Sequence, residues 1–207
     1  MSKADTERDA NLSAIIWGRQ TTDRNEGVTL HLLFVCTGNI CRSPTAERLA
    51  ASYSARLSIP NLSTSSAGTR AVIAHPIHRE AALVLERLGG DASNFAARQL
   101  TPKIASDADL ILAMTMEHRD AVLSLAPRLL RRTFTLAEAA WLASNVDART
   151  VADLPVLRPQ WESNYSSEIV DPIDQSAEVF EIVGSQIAHL LPPILELCGR
   201  SQARGAD

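Results

Sequence analysis

The sequence predicts an α/β fold: a parallel sheet of four strands with helices packed on its faces. Two observations predict it. Apolar runs alternate with stretches of helical periodicity from about residue 30 to 198, the pattern of a helix-covered parallel sheet. The clearest runs are apolar at nearly every position, as strands buried on both faces must be. Right-handed crossovers then limit the possible topologies.

Residues 1–28 read as an extension in which only Ala14 to Trp17 is apolar; the domain follows over 29–200. "LHLLFV", Leu30 to Val35, is the first strand. "SPTAERLAASYSARL" is the first helix, with Ala46, Leu49, Ala50, Tyr53 and Leu57 on one face. Pro44 suits its first helical position and Ser43 its N-cap. "NLSTSSAGT" (Asn61 to Thr69) is a second strand ending in a glycine turn. The helix expected next starts at Pro76, buries Ile77, Ala81, Val84, Leu85 and Leu88, and closes on Gly89 and Gly90. "ADLILAM" (Ala108 to Met114) is a third strand, followed by a helix near Glu117 to Leu125. "RRTFTL" (Arg131 to Leu136) is the fourth strand, followed by a short helix at "LAEAAWLA". A last helix, Ala177 to Leu197, is expected to kink or break at Pro192 and Pro193. Residues 145–170 fit no element: the stretch is long, with Pro155, Pro159, Trp161 and Tyr165, and reads as an insertion or a lid.

The chain of 207 residues suits one domain, and a formal charge of −4 gives no electrostatic case for nucleic acid or an anionic membrane. No uninterrupted apolar run reaches the roughly 18 residues of a span. The first residues mix acids and bases without a signal-peptide core, so the expected location is the cytoplasm. Cys36, Cys41 and Cys198 are too few and too unevenly placed for a disulfide scaffold or a zinc site, and no cofactor or metal is expected.

The chemistry lies in "FVCTGNICRS", residues 34–43. Between strand and helix stand Cys36, Thr37, Gly38, Asn39, Ile40, Cys41, Arg42 and Ser43. Turn amides converge there, and the helix start adds its positive end. Gly38 and Asn39 tolerate the left-handed backbone such a nest needs. Arg42 offers a planar fork for two phosphate oxygens. The same field favours a thiolate at Cys36, placed for in-line attack on phosphorus. A Walker loop is excluded because no Gly-Lys-Ser/Thr follows.

"VCTGNICRSPTAE" resembles the signature of the low-molecular-weight protein tyrosine phosphatases. "SSAGT", "AARQLT", "ADLILAM" and Asp171-Pro172 continue the resemblance over about residues 30–198, in the family's order. It implies a flavodoxin-like doubly wound sheet with helices on both faces. It implies a hydrolase of phosphotyrosine in proteins, or of related aryl phosphates, through a phosphocysteine. Cys36 is then the nucleophile, Arg42 the phosphoryl-binding group, and Asp171 the acid and later the base, with Asp174 as rival. Thr37, Gly38, Asn39, Ile40, Cys41 and Ser43 form the substrate-binding loop; Asn39 holds its shape and Ser43 bonds the Cys36 sulfur. Cys41 matches a second loop cysteine that in some members traps Cys36 as a disulfide; packing behind the loop is the other reading. The chain departs from the family where Ile173 and Asp174 follow the Asp-Pro instead of an aromatic, where "RAVIAHPIH" lacks another, and where Phe95 replaces a histidine. Trp161 and Tyr165 are expected to supply the missing aromatic contact, with Glu162 and Glu168 at the mouth. Two other functions fit the loop. A thioredoxin-coupled arsenate reductase needs further cysteines that residues 75–115 lack, and a phosphoprotein-binding module needs no intact Cys36, Arg42 and Asp171.

Overall fold

The computed structural model describes residues 29–161 and 168–204. The extension expected over 1–28, and Glu162 and Tyr165 of the expected lid, lie outside the described residues.

β1 (Leu30–Cys36) is central. It pairs in parallel with β2 (Leu62–Gly68) on one side and β3 (Leu110–Ala113) on the other, and β3 pairs with β4 (Thr133–Thr135). The order β2-β1-β3-β4 is the flavodoxin-like one. Side chains alternate between two cores, as the strand period dictates. Leu32, Phe34 and Cys36 join Leu110, Leu112 and Phe134 in the larger core. That core is closed by helices α1 (Arg42–Arg56), α2 (Arg79–Arg87), α5 (Leu136–Asn145) and α7 (Ala177–Arg204). Leu33, Val35, Ala67 and Ile111 face the smaller one, under α3 (Pro102–Ser106), α4 (Met116–Leu125) and the 3-10 turn Pro127–Arg132.

Three boundaries differ from expectation. α1 begins at Arg42, with Cys41 in the N-cap position and no side-chain cap. Ser43 sits inside the first turn because its hydroxyl is engaged by Cys36 and Asn39. α2 begins at Arg79, not at Pro76, because the backbone before it is drawn to the loop: His78 N donates to Ile40 O at 2.6 Å. α7 is neither broken nor ended at Pro192 and Pro193. Leu191, Ile194, Leu195, Leu197 and Cys198 on both sides of the prolines are fully buried, so packing holds the helix through the lost amide bonds. By length and composition α7 is long and apolar enough to cross a bilayer. Its apolar face, including Phe180, Val183 and Ile187, lies in the larger core.

Arg158 ties the described part of 145–170 to β4 and α5. After the short turns Val151–Asp153, α6 (Leu154–Leu157) and Arg158–Gln160, the Arg158 guanidinium lies 3.9 Å over the Phe134 ring. It donates to Glu138 Oε1 at 2.8 Å, Leu130 O at 2.9 Å and Thr133 O. Trp161 packs on Trp141 of α5, ring centroids 5.5 Å apart. The aromatic contact expected from Trp161 at the phosphate slot is thus made to α5.

Candidate active site

The loop between β1 and α1 is shaped by where its carbonyls point. Cys36 O accepts from Thr69 N at 2.9 Å, Thr37 O from Arg70 N at 3.0 Å, and Gly38 O from Val72 N at 2.9 Å. Ile40 O accepts from His78 N, and Cys41 O from Thr45 N and the Thr45 hydroxyl. Each bond pulls a carbonyl outward. The opposite end of a peptide unit is an N–H, so the amides turn toward the centre and form an anion nest. The clamp requires β2 to end in glycine: a Cβ on Gly68 would lie 2.4 Å from Thr37 O.

Asn39 holds the loop from inside. It is fully buried at φ +54°, the left-handed region asparagine tolerates. Its Nδ2 donates to Ser43 Oγ at 2.9 Å and Ser66 Oγ at 2.8 Å, and its Oδ1 accepts from Arg98 N at 2.9 Å. Because Ser43 Oγ accepts from Asn39, its own proton is free to point at Cys36 Sγ, 2.9 Å away. Ser66 likewise accepts from Asn39 and donates to Glu47 Oε2 at 2.5 Å. Burial pushes the Glu47 carboxyl up, while the Ser66 bond and the Arg48 and Arg98 charges oppose that.

Arg42 is buried and links two distant parts of the chain. Nη1 donates to Ile169 O at 3.0 Å, and Nη2 lies 3.4 Å from Thr37 Oγ1 and on Asp171 Oδ2. Its Nε is buried with no protein partner among the described residues, a donor left for an oxyanion. Asp171 is about half exposed, and Ile173 N donates to its Oδ1 at 3.3 Å. Asp174 follows further along the loop in an exposed left-handed position, φ +64°. The structure thus brings Cys36, Thr37, Asn39, Arg42, Ser43 and Asp171 together and leaves Asp174 outside.

Cys36 and Cys41 are both free, buried thiols. Burial, and then Cys36 beside it, push the Cys41 thiol far above its ordinary value. Neither thiol has metal-like company: no cluster of three ligating side chains exists among the described residues.

Sequence reasoning missed His118, buried in the first turn of α4. Its Nε2 lies 2.8 Å from Thr37 Oγ1 and its Nδ1 2.8 Å from Thr115 Oγ1. Burial, and then the Arg42 cation, push it down to about 4. It also missed Ser66, Glu47 and Arg98 as supports of Asn39. A sequence signal for all three exists: "VCTGNICRSPTAE" ends on Glu47, and "SSAGT" and "AARQLT" supply Ser66 and Arg98.

A family model described as low molecular weight phosphotyrosine protein phosphatase matches residues 31–153. The chain is 34% identical over 152 residues to the low molecular weight protein-tyrosine-phosphatase Etp of Escherichia coli, covering 73% of this chain and 83% of that one. Among solved structures, the low molecular weight protein tyrosine phosphatase of T. tengcongensis superposes with TM-score 0.66 at 28% identity, over 81% of this chain and 99% of that one. The YwlE arginine phosphatase of Geobacillus stearothermophilus superposes with TM-score 0.62 at 28% identity, over 81% and 91%.

Proposed function

The chain belongs to the low molecular weight phosphotyrosine protein phosphatase family, and we propose that Cys36, Arg42 and Asp171 carry its cysteine-dependent hydrolysis of phosphotyrosine. One observation carries this reading: a single buried guanidinium contacts both the nucleophile's loop, at Thr37, and Asp171, 129 residues away.

The geometry supports the following steps. The Cys36 thiolate attacks phosphorus as the inward amides and Arg42 hold the three non-bridging oxygens. A P–S bond forms, the P–O bond to the tyrosine ring breaks, and Asp171 gives its proton to the departing phenolate oxygen. Water then attacks the phosphocysteine, Asp171 takes its proton, and the P–S bond breaks to return the thiolate and phosphate. Ser43 stabilises that thiolate in both steps. The proposed substrate is a phosphotyrosine protein; three free thiols support a reducing, cytoplasmic setting.

The test compares hydrolysis of p-nitrophenyl phosphate and a phosphotyrosine peptide by wild type and Cys36→Ser. Turnover should vanish with phosphate binding retained, because the nest is mostly backbone plus Arg42. Appreciable turnover by Cys36→Ser overturns the mechanism. A phosphoarginine peptide hydrolysed in preference to phosphotyrosine would reassign the substrate.

A further inference from the structure

We propose that His118 is a positioning residue for catalysis: it fixes the Thr37 hydroxyl as an acceptor that, with the Ile169 carbonyl, sets the plane of the Arg42 guanidinium. The proposal rests on Arg42 being the phosphoryl-binding group.

The β3–α4 turn is a shelf that meets both walls of the site. Thr115 caps α4, its Oγ1 accepting from His118 N at 3.3 Å. The His118 ring then spans from Thr115 to Thr37, 2.8 Å at each end. On the other side, Ile169 N donates to Met114 O at 3.1 Å and Met116 N donates to Glu168 Oε1 at 2.8 Å. So the same turn holds Thr37 through an imidazole and Ile169 through its backbone.

Those are two of the three acceptors of Arg42: Nη1 is on Ile169 O and Nη2 on Thr37 Oγ1, with Asp171 sharing Nη2. Two acceptors fixed on one rigid turn define a plane for the fork, and the plane decides which N–H groups meet the phosphoryl oxygens. Asp171, about half exposed, is the one acceptor of the three not anchored to this turn.

The chemistry of the ring suits the task. A neutral imidazole carries one donor and one acceptor. With Nε2 protonated it donates to Thr37 Oγ1; with Nδ1 protonated it accepts the Thr37 proton. In either tautomer a lone pair of Thr37 Oγ1 remains for Arg42. An imidazolium would instead add a third cation beside Arg42 and Arg70 at the phosphate nest, a cost that the Asp171 charge opposes. Burial and those cations keep the ring neutral.

The experiment measures kcat and KM on p-nitrophenyl phosphate and inhibition by inorganic phosphate for His118→Ala and His118→Gln. Urea midpoints confirm folding. Loss of one bond that orients a charged group predicts a fall in kcat/KM of about 10- to 100-fold for His118→Ala, with weaker phosphate inhibition. Gln keeps an amide N–H at the reach of Nε2 and should restore most of the loss. The double variant His118→Ala with Thr37→Val should lose less than the two single losses combined, since the two share the His118–Thr37 contact. A folded His118→Ala with both constants unchanged, or a Gln variant as impaired as Ala, overturns the proposal. If His118→Ala does not fold, Thr37→Val removes that contact together with the Arg42 contact from the loop side, and unchanged constants there overturn the proposal. Arg42→Lys is measured in parallel: full activity there overturns the reading of Arg42 itself. A dead Arg42→Lys beside an unaffected His118→Ala overturns only the positioning role.

Discussion

His118 makes a quantitative prediction about acid stability, separate from its effect on turnover. In the folded protein its proton affinity falls from the ordinary 6.5 to about 4, through burial first and Arg42 second. As pH drops below 6.5 the unfolded chain binds this proton and the folded chain does not, so folding loses stability across the window from 6.5 to about 4. Nothing is lost above that window. Each pH unit inside the window removes about 1.4 kcal/mol, so the full cost is about 3 kcal/mol, and about 2 kcal/mol is already reached near pH 5. His118→Gln cannot titrate and escapes this cost. Glu47 works in the opposite sense, since its raised carboxyl takes up a proton more readily when folded. It is present in both proteins and cancels in the difference. Urea unfolding of wild type and His118→Gln at pH 7.5 and pH 5 gives the comparison. The variant carries a constant offset for its altered contacts. The gap between the two should move by about 2 kcal/mol in the variant's favour on acidification, roughly 1 M in urea midpoint. A gap that stays constant from pH 7.5 to pH 5 refutes the reasoning.

Gly68→Ala should lose both activity and stability, because its Cβ falls 2.4 Å from the Thr37 carbonyl and must displace the catalytic loop; unchanged kcat/KM would show the clamp to be dispensable. Arg158→Lys should lower unfolding free energy by about 2–4 kcal/mol, since a point charge cannot keep three acceptors and leaves Glu138 buried; an unshifted urea midpoint would remove its assigned role. Asp171→Asn should cut turnover of phenyl phosphate by about 100-fold or more and that of p-nitrophenyl phosphate less, because only a poor leaving group needs the proton. Asp174→Asn should leave both substrates unaffected, and a larger loss there than at Asp171 would exchange the two assignments.

What was legible in the sequence is what is decided locally. The loop from Cys36 to Ser43, the apolar β1 before it and the face of α1 after it all depend on neighbours a few residues away. The α2 C-terminus was legible for the same reason: Gly89 takes φ +87° and its N–H returns to Glu86 O. Ser43 was misplaced as an N-cap because a serine before Pro44 satisfies every local rule. Its true partners are Cys36 Sγ and the Asn39 amide, whose convergence depends on the closed loop. Pro192 and Pro193 were read as breakers on helix chemistry alone, and burial of Leu191, Ile194 and Leu195 overrides it. His118 was invisible since its meaning is a contact to Thr37, 81 residues away.

Phe95, a departure from the family pattern, packs beside Arg48 of α1. Where the family often carries a histidine, this chain has an aromatic ring under the Arg48 guanidinium, 5.6 Å from its centroid. Asn39 takes its support from β2 and α1. Its Nδ2 donates into the Ser66 hydroxyl, whose proton goes directly into the Glu47 carboxylate. Hydrogen bonds linked in such a chain polarise one another. The same Nδ2 also donates to Ser43, leaving that hydroxyl's proton for Cys36. Glu47 and Cys36 therefore sit at two ends of one hydrogen-bonded line through a single amide group. Glu47 lies on α1 and Ser66 on β2, so the loop is braced by the helix it starts and the strand beside it. Ser66 and Glu47 thus carry the support of Asn39.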